Sequence, residues 1–220
     1  MTIKGFIFDL DGVITDTAEY HYHAWKNLGK KMGIEIDREF NEKLKGISRM
    51  DSLERILAYG GKADRYTDSE KELLAADKNG EYVKLIEDIT PADLLPGIPQ
   101  LLLDLKASGI KLALASASKN GPVILDRLGI TADFDEIVDP SLLTKGKPDP
   151  EIFVKGAQQL GLEASECIGV EDAEAGIAAI NGAHMFSVGV GDPESMKEAD
   201  YRVANTSELS LQKILEAAGE

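Results

Sequence analysis

The chain has 220 residues, with 39 Asp or Glu against 24 Lys or Arg, for a formal net charge of −15. That balance opposes nucleic acid or an anionic membrane as partner, and the length suits one large domain or one domain with an insert. A single cysteine (Cys167), an N-terminal apolar run that stops at Asp9 and the absence of any membrane-length apolar stretch point to a soluble cytoplasmic protein without disulfides.

An apolar run over 3–10 predicts a first strand that ends in Asp9-Leu10-Asp11-Gly12. If extended geometry persists through Leu10, Asp9 and Asp11 point the same way, and two like charges there call for a cation, a proton or a substrate. From 17 to 89 the patterns are helical only. Ala18, Tyr22, Trp25, Leu28 and Met32 recur at helical spacing up to Gly33, and Ser48 is placed to cap a helix over 49–59 that Gly60-Gly61 ends. A longer helix is expected over 69–88, weakened at Asn79-Gly80, and 90–97 reads as a return linker. Strands at 110–116, 166–170 and 184–190, with fainter ones at 134–138 and 201–204, then alternate with helices. One of these helices carries Leu101, Leu102 and Leu105 before Gly109, one is led by Pro122, and one runs from Pro150 to Gly161. This alternation predicts an α/β fold: a doubly wound, Rossmann-like parallel-sheet core over 1–16 and 90–220, with an inserted α-helical cap domain over 17–89.

Ligands of open α/β sheets lie beyond the carboxyl ends of the strands. The polar residues expected there are Asp9 and Asp11 after the first strand, Ser116 with Ala117-Ser118-Lys119-Asn120 after the second, and Glu171-Asp172 after "CIGV". A loop with Lys145-Gly146-Lys147-Pro148 precedes a helix. Carboxylates from two strand ends form a hard oxygen site of the kind Mg²⁺ prefers, and a lysine with a hydroxyl suits phosphoryl oxygens. Such a site needs a nucleophile and a proton carrier, roles that Asp9 and Asp11 can divide. The chemistry read from the residues is phosphoryl transfer through an aspartyl phosphate.

Four motifs in order, "DLDGV", "LASAS", "KGKPDPEIF" and "GVEDAEAGI", resemble the haloacid dehalogenase superfamily in its phosphotransferase branch, with a small helical cap between the first two. Together with "DLDGVITDTAEYH", "LKGISRMDSLERIL" and "TPADLLPGI", the chain is similar to the sugar-phosphate mutases of that superfamily. The resemblance implies an isomerase acting on β-D-glucose 1-phosphate and glucose 6-phosphate, with Mg²⁺ as cofactor and β-glucose 1,6-bisphosphate as intermediate and activator. It implies Asp9 as nucleophile and Asp11 as general acid/base. Asp9, the Asp11 carbonyl, Glu171 and Asp172 would hold the metal; Ser116, Ala117 and Lys147 the transferring phosphoryl group. Arg49, with Ser118, Lys119 and Asn120, would hold the distal phosphate. Thr17 would lie at the hinge, His21 would restrain Asp11 until the cap closes, and the loop from Gly46 through Ser48 to Arg49 would select the substrate. The implied partners are sugar phosphates, for a monomer whose site is completed within one chain.

Plainer readings accompany these. Lys145 competes with Lys147, and Pro148 favours Lys147. Glu171-Asp172 also suits a helix start. His23 and His184 carry no role, Trp25 reads as insert core, Cys167 as a buried small side chain, and "GVGD" at 189–192 as a turn. A sugar-phosphate phosphatase shares all four motifs and is the alternative activity. A receiver-type phospho-acceptor needs neither a second aspartate so near the first nor a helical insert.

Overall fold

A computed structural model describes residues 2–220, so the first residue of the expected core lies outside the described residues. Six parallel strands form one sheet in the order β3-β2-β1-β4-β5-β6: β1 (Gly5–Phe8), β2 (Lys111–Leu114), β3 (Glu136–Ile137), β4 (Cys167–Glu171), β5 (Phe186–Val190) and β6 (Tyr201–Val203). This is the doubly wound, Rossmann-like arrangement, and the order reverses direction between β1 and β4. Both sheet faces are covered, which is why the strands read as unbroken apolar runs. Phe6 and Phe8 of β1 point into one cluster with Leu101, Ile124 and Ile214, while Ile7 points into the other with Phe153, Ile177 and Ile180. Each such side chain is worth roughly 1.5–3 kcal/mol when taken from water.

The strands are shorter than the apolar runs predict. β1 stops at Phe8, so Asp9 and Asp11 are not alternate residues of one strand. The backbone turns instead: Gly12 N–H donates to the Thr15 carbonyl, and Gly12 takes φ 71, a left-handed conformation that glycine adopts without strain. The crowding expected of two like-facing carboxylates is therefore relieved by divergence of the chain as well as by partners.

Between β1 and the core helix α5 (Ile98–Ala107) lies a helical insert of α1 (Ala18–Met32), α2 (Arg38–Glu42), α3 (Arg49–Tyr59) and α4 (Asp68–Leu85). It has its own apolar cluster, including Trp25, Leu28, Phe40, Leu53, Ile56 and Leu57. Ser48 caps α3 as expected, its hydroxyl accepting from Asp51 N–H at 3.1 Å. The short α2 was not expected; Asp37 caps it by accepting from Phe40 N–H at 2.7 Å. α4 begins after Thr67 rather than at Ser69, because Thr67 and Glu70 form a reciprocal capping box. It also runs unbroken through Asn79-Gly80, since buried Lys78 and Tyr82 on either side hold it in place. The remaining helices α6 (Gly121–Arg127), α7 (Glu151–Leu160), α8 (Glu174–Gly182) and α9 (Leu211–Ala217) complete the core layers. No helix of the described residues is long and apolar enough to cross a membrane.

Candidate active site

Strand register brings the chemistry together. Phe8 pairs with Leu114 on one side and Val170 on the other, so the residues just beyond, Asp9, Ala115 and Glu171, emerge at one level. Lys147 enters from the loop before α7, and its Nζ lies 2.7 Å from Asp9 Oδ1 and 2.7 Å from Glu171 Oε2. All three are buried, at 3%, 4% and 0% exposure, and form the base of the site. The two carboxylates hold the Lys147 ammonium above the ordinary lysine range despite its burial. Lys145 instead is exposed at the cleft and pairs with Asp149 at 3.4 Å.

The other Glu171 oxygen, Oε1, accepts from the N–H groups of Asp172 and Ala173 at 3.1 and 3.2 Å. Burial, with Asp9 beside it, raises Glu171 to about 7; burial, Glu171 and Asp9 raise Asp172 as well. Asp9, Glu171 and Asp172 each offer one oxygen within 4.8 Å of the others. Three carboxylates against one lysine, all with hard oxygen donors, fit a divalent cation such as Mg²⁺. The packing around them is close. A Cβ on Gly12 would strike the Asp172 carboxylate, and one on Gly176 would strike that of Glu171.

The Asp11 side chain stands apart from this cluster. Its Oδ1 accepts from the Thr17 hydroxyl, and Thr17 in turn accepts from Tyr82 OH at 3.0 Å. Its Oδ2 lies 3.7 Å from His21 Nε2. Burial, and then the Asp9 charge, push Asp11 up to about 7, against opposing pulls from Thr17 and Lys78. A carboxyl so placed can give or take a proton near neutrality. His21 stacks on Tyr82 with ring centroids 4.0 Å apart, and burial, with Lys78 and Arg49 nearby, holds its imidazole well below the ordinary range.

Lys78 and Tyr82 were not singled out from the sequence. Lys78 Nζ is 2.6 Å from His21 Nδ1 and 4.7 Å from the ring centroids of both Trp25 and Tyr82. Burial and then the Arg49 charge lower it to about 7. No local pattern marks such a lysine. Trp25 does belong to the insert's apolar cluster, as expected, but it also lines the cleft. His23 is exposed and pairs with Glu19 at 3.0 Å, and Cys167 is buried.

A cleft of about 1410 Å³ opens between the sheet end and the insert. Its lining includes Asp9, Asp11, His21 and Asp172, the 45–49 stretch with Gly46, Ser48 and Arg49, and Ser116, Ala117, Ser118, Lys119 and Lys147. Ser116 is buried, its hydroxyl accepting from Ser118 N–H at 3.1 Å. Thr17 is fully buried rather than in the cleft wall. Asn120 reaches across to the insert, its Nδ2 donating to Asn79 Oδ1 at 3.0 Å. Among the described residues Arg49 makes no hydrogen bond or ion pair, although it is half-buried in the cleft.

Residues 3–184 match the family model described as haloacid dehalogenase-like hydrolase. The chain belongs to the haloacid dehalogenase-like family. Within it, the chain is 54% identical over 214 residues to the β-phosphoglucomutase of Bacillus subtilis (strain 168), covering 97% of this chain and 95% of that protein. It is 31% identical to hexitol phosphatase A of Escherichia coli (strain K12), covering 97% and 96%. The crystal structure of β-phosphoglucomutase from Clostridium difficile superposes with a TM-score of 0.98 at 52% identity, over 99% of this chain and 98% of that one. Haloacid dehalogenase-like phosphotransfer implies dependence on Mg²⁺, which the acidic cluster fits.

Proposed function

We propose that this chain is a β-phosphoglucomutase, an isomerase interconverting β-D-glucose 1-phosphate and glucose 6-phosphate through β-glucose 1,6-bisphosphate. The observation that carries the choice over a sugar phosphatase is the 54% identity to the Bacillus subtilis mutase, against 31% to the hexitol phosphatase. In this reading the core is 1–16 with 90–220, and the insert over 17–89 is a cap.

Asp9 attacks phosphorus of the bisphosphate, and the bond from phosphorus to the sugar oxygen breaks. Asp11 gives its proton to that oxygen, leaving a hexose monophosphate and an aspartyl phosphate. In the reverse sense the sugar's other hydroxyl attacks phosphorus, Asp11 takes the proton, and Asp9 is freed. An Asp11 carboxyl raised to about 7 supports both halves, since either form is accessible near neutral pH. Asp9, Glu171, Asp172 and the Asp11 carbonyl would hold Mg²⁺, which supplies positive charge against the crowded phosphoryl and carboxylate oxygens. Lys147 and Ser116, with Ala117, bind and orient the transferring group; the proximity of Lys147 to Asp9 supports this.

A hexose with two phosphates must be held at its far end while either end meets Asp9. Arg49 from the insert, with Ser118, Lys119 and Asn120 from the core, is assigned that task, and the planar guanidinium suits bidentate contact with phosphate. The loop from Gly46 to Arg49 sets the fit to the sugar. Thr17 and His21 hold Asp11 to one side until the insert closes, which slows attack of water on the aspartyl phosphate. In this reading every assigned residue comes from one chain, which supports a monomer that takes small sugar phosphates.

The test mixes enzyme, Mg²⁺, β-glucose 1-phosphate and a trace of the bisphosphate, and follows glucose 6-phosphate and free phosphate together. Glucose 6-phosphate accumulating with little free phosphate is expected. Stoichiometric free phosphate with little glucose 6-phosphate would overturn the mutase reading in favour of a phosphatase.

A further inference from the structure

Asn120 stands at the N-terminal cap of α6, where an asparagine side chain ordinarily accepts a hydrogen bond from its own helix. It makes no such bond. Its carboxamide turns toward the insert instead, and Nδ2 donates to Asn79 Oδ1 at 3.0 Å. The two residues are 41 apart in sequence and belong to different parts of the fold, so this bond spans the boundary between insert and sheet end.

Asn79 is held in place by its neighbours on α4. Lys78 is buried on His21, and Tyr82 is buried with its hydroxyl on Thr17 and beside Ser118. A flexible pair of exposed amides would lose much of its hydrogen-bond energy to ordering entropy, whereas here one partner rides on a helix already fixed on both sides. On the other side, Asn120 N–H donates to the Ser118 hydroxyl at 3.3 Å, and Ser118 N–H donates to Ser116, so the loop is also pre-formed.

We infer that Asn79 is a positioning residue for the distal phosphate: it fixes the Asn120 carboxamide and seats the insert against the Ser118–Asn120 loop. Asn79 takes one of the two Asn120 Nδ2–H donors, which leaves the other available to a ligand. Asn79 touches no reacting atom and acts through Asn120. The inference rests on the phosphoryl-transfer reading above, in which Asn120 meets that phosphate.

The test is a double-mutant cycle with Asn79→Ala, Asn120→Ala and the double variant, using β-glucose 1,6-bisphosphate as the varied ligand and following both glucose 6-phosphate and free phosphate. Asn79→Ala is expected to raise KM for the bisphosphate about 3- to 10-fold, the value of one neutral hydrogen bond, with kcat changed by less than about twofold. The double variant is expected to be no worse than Asn120→Ala alone. An unchanged KM, an equal fall in kcat, or penalties that multiply in the double variant would each overturn the inference. If Asn79→Ala lowers the unfolding midpoint, Asn79→Gln takes its place in the cycle, because it keeps the carboxamide and shifts it by one methylene. The bisphosphate fills both phosphate pockets whether it is isomerised or hydrolysed. Release of phosphate without isomerisation would therefore overturn the mutase reading while the cycle still decides the role of Asn79.

Discussion

The two sides of the cleft are built on different electrostatic plans. At the sheet end, Lys147 lies 2.7 Å from each of two buried carboxylates, and a third, Asp172, beside them leaves an excess of negative charge that a divalent cation would offset. On the insert side, Arg49 has no partner among the described residues, and Lys78 is pushed down to about 7 by burial and by Arg49 itself. The sheet end thus carries paired charges, whereas the insert presents a cation without a partner. A preformed anionic and cationic cluster suits bond making at phosphorus, which needs oriented charge without reorganisation. An unpaired arginine facing it suits binding that also draws the insert closed.

Four variants probe this contrast. Asp9→Asn is expected to abolish phosphoenzyme formation and lower turnover by at least about 10⁴-fold, since a nucleophile acts as a unit with its partners; retained phosphate on the intact protein by mass spectrometry would place the nucleophile elsewhere. Lys147→Met leaves Asp9 and Glu171 buried without their cation, and breaking a buried pair costs about 3–5 kcal/mol. Urea unfolding without added metal measures that loss, and an unchanged midpoint would show that the sheet-end charges do not depend on one another. Arg49→Ala should raise KM for the bisphosphate about 10- to 100-fold, as loss of charged hydrogen bonds to phosphate, with no effect on unfolding. A fall in stability comparable to that of Lys147→Met would erase the distinction between the two sides.

The smallest effect concerns Lys78. In the folded protein it titrates at about 7 against an ordinary 10.5, so between those values the unfolded chain binds more protons than the folded one. Stability carried by this group therefore rises as pH increases from about 7 to 10.5. Urea midpoints at pH 7 and pH 9 should converge in Lys78→Met relative to the parent. An equal pH dependence in both proteins would mean that Lys78 is charged throughout.

The sheet end was largely legible in the sequence because parallel strands buried on both faces leave continuous apolar runs, and each run delivers its next polar residue to a common edge. Asp9, Ser116, Glu171 and Asp172 lie where that logic puts them, and Lys147 joins them from the loop before α7. What failed there was extent: β1 ends at Phe8, so the side-by-side placement of Asp9 and Asp11 was an error of strand length. The insert was legible only as helices. A lysine at position 78 of an amphipathic segment reads as solvated, and its burial between Trp25 and Tyr82 arises from packing of α4 on α1 that no local pattern encodes. Asn79-Gly80 read as a weak point for the same reason: propensity alone does not register the tertiary contacts of the residues on either side.

The glycines at 12 and 176 have a consequence for how this site can change. Each lies where a side chain would collide with a carboxylate of the acidic cluster, Gly12 against Asp172 and Gly176 against Glu171. The Gly12–Asp172 approach fits the turn after β1 to the turn into α8, although they lie far apart along the chain, while the Gly176–Glu171 approach is internal to the β4–α8 segment. A side chain at position 12 needs the Asp172 carboxylate to move. A chimaera that imports the turn carrying Asp9 from a distant relative has to import the turn carrying Glu171 and Asp172 with it, and drift in one turn constrains drift in the other.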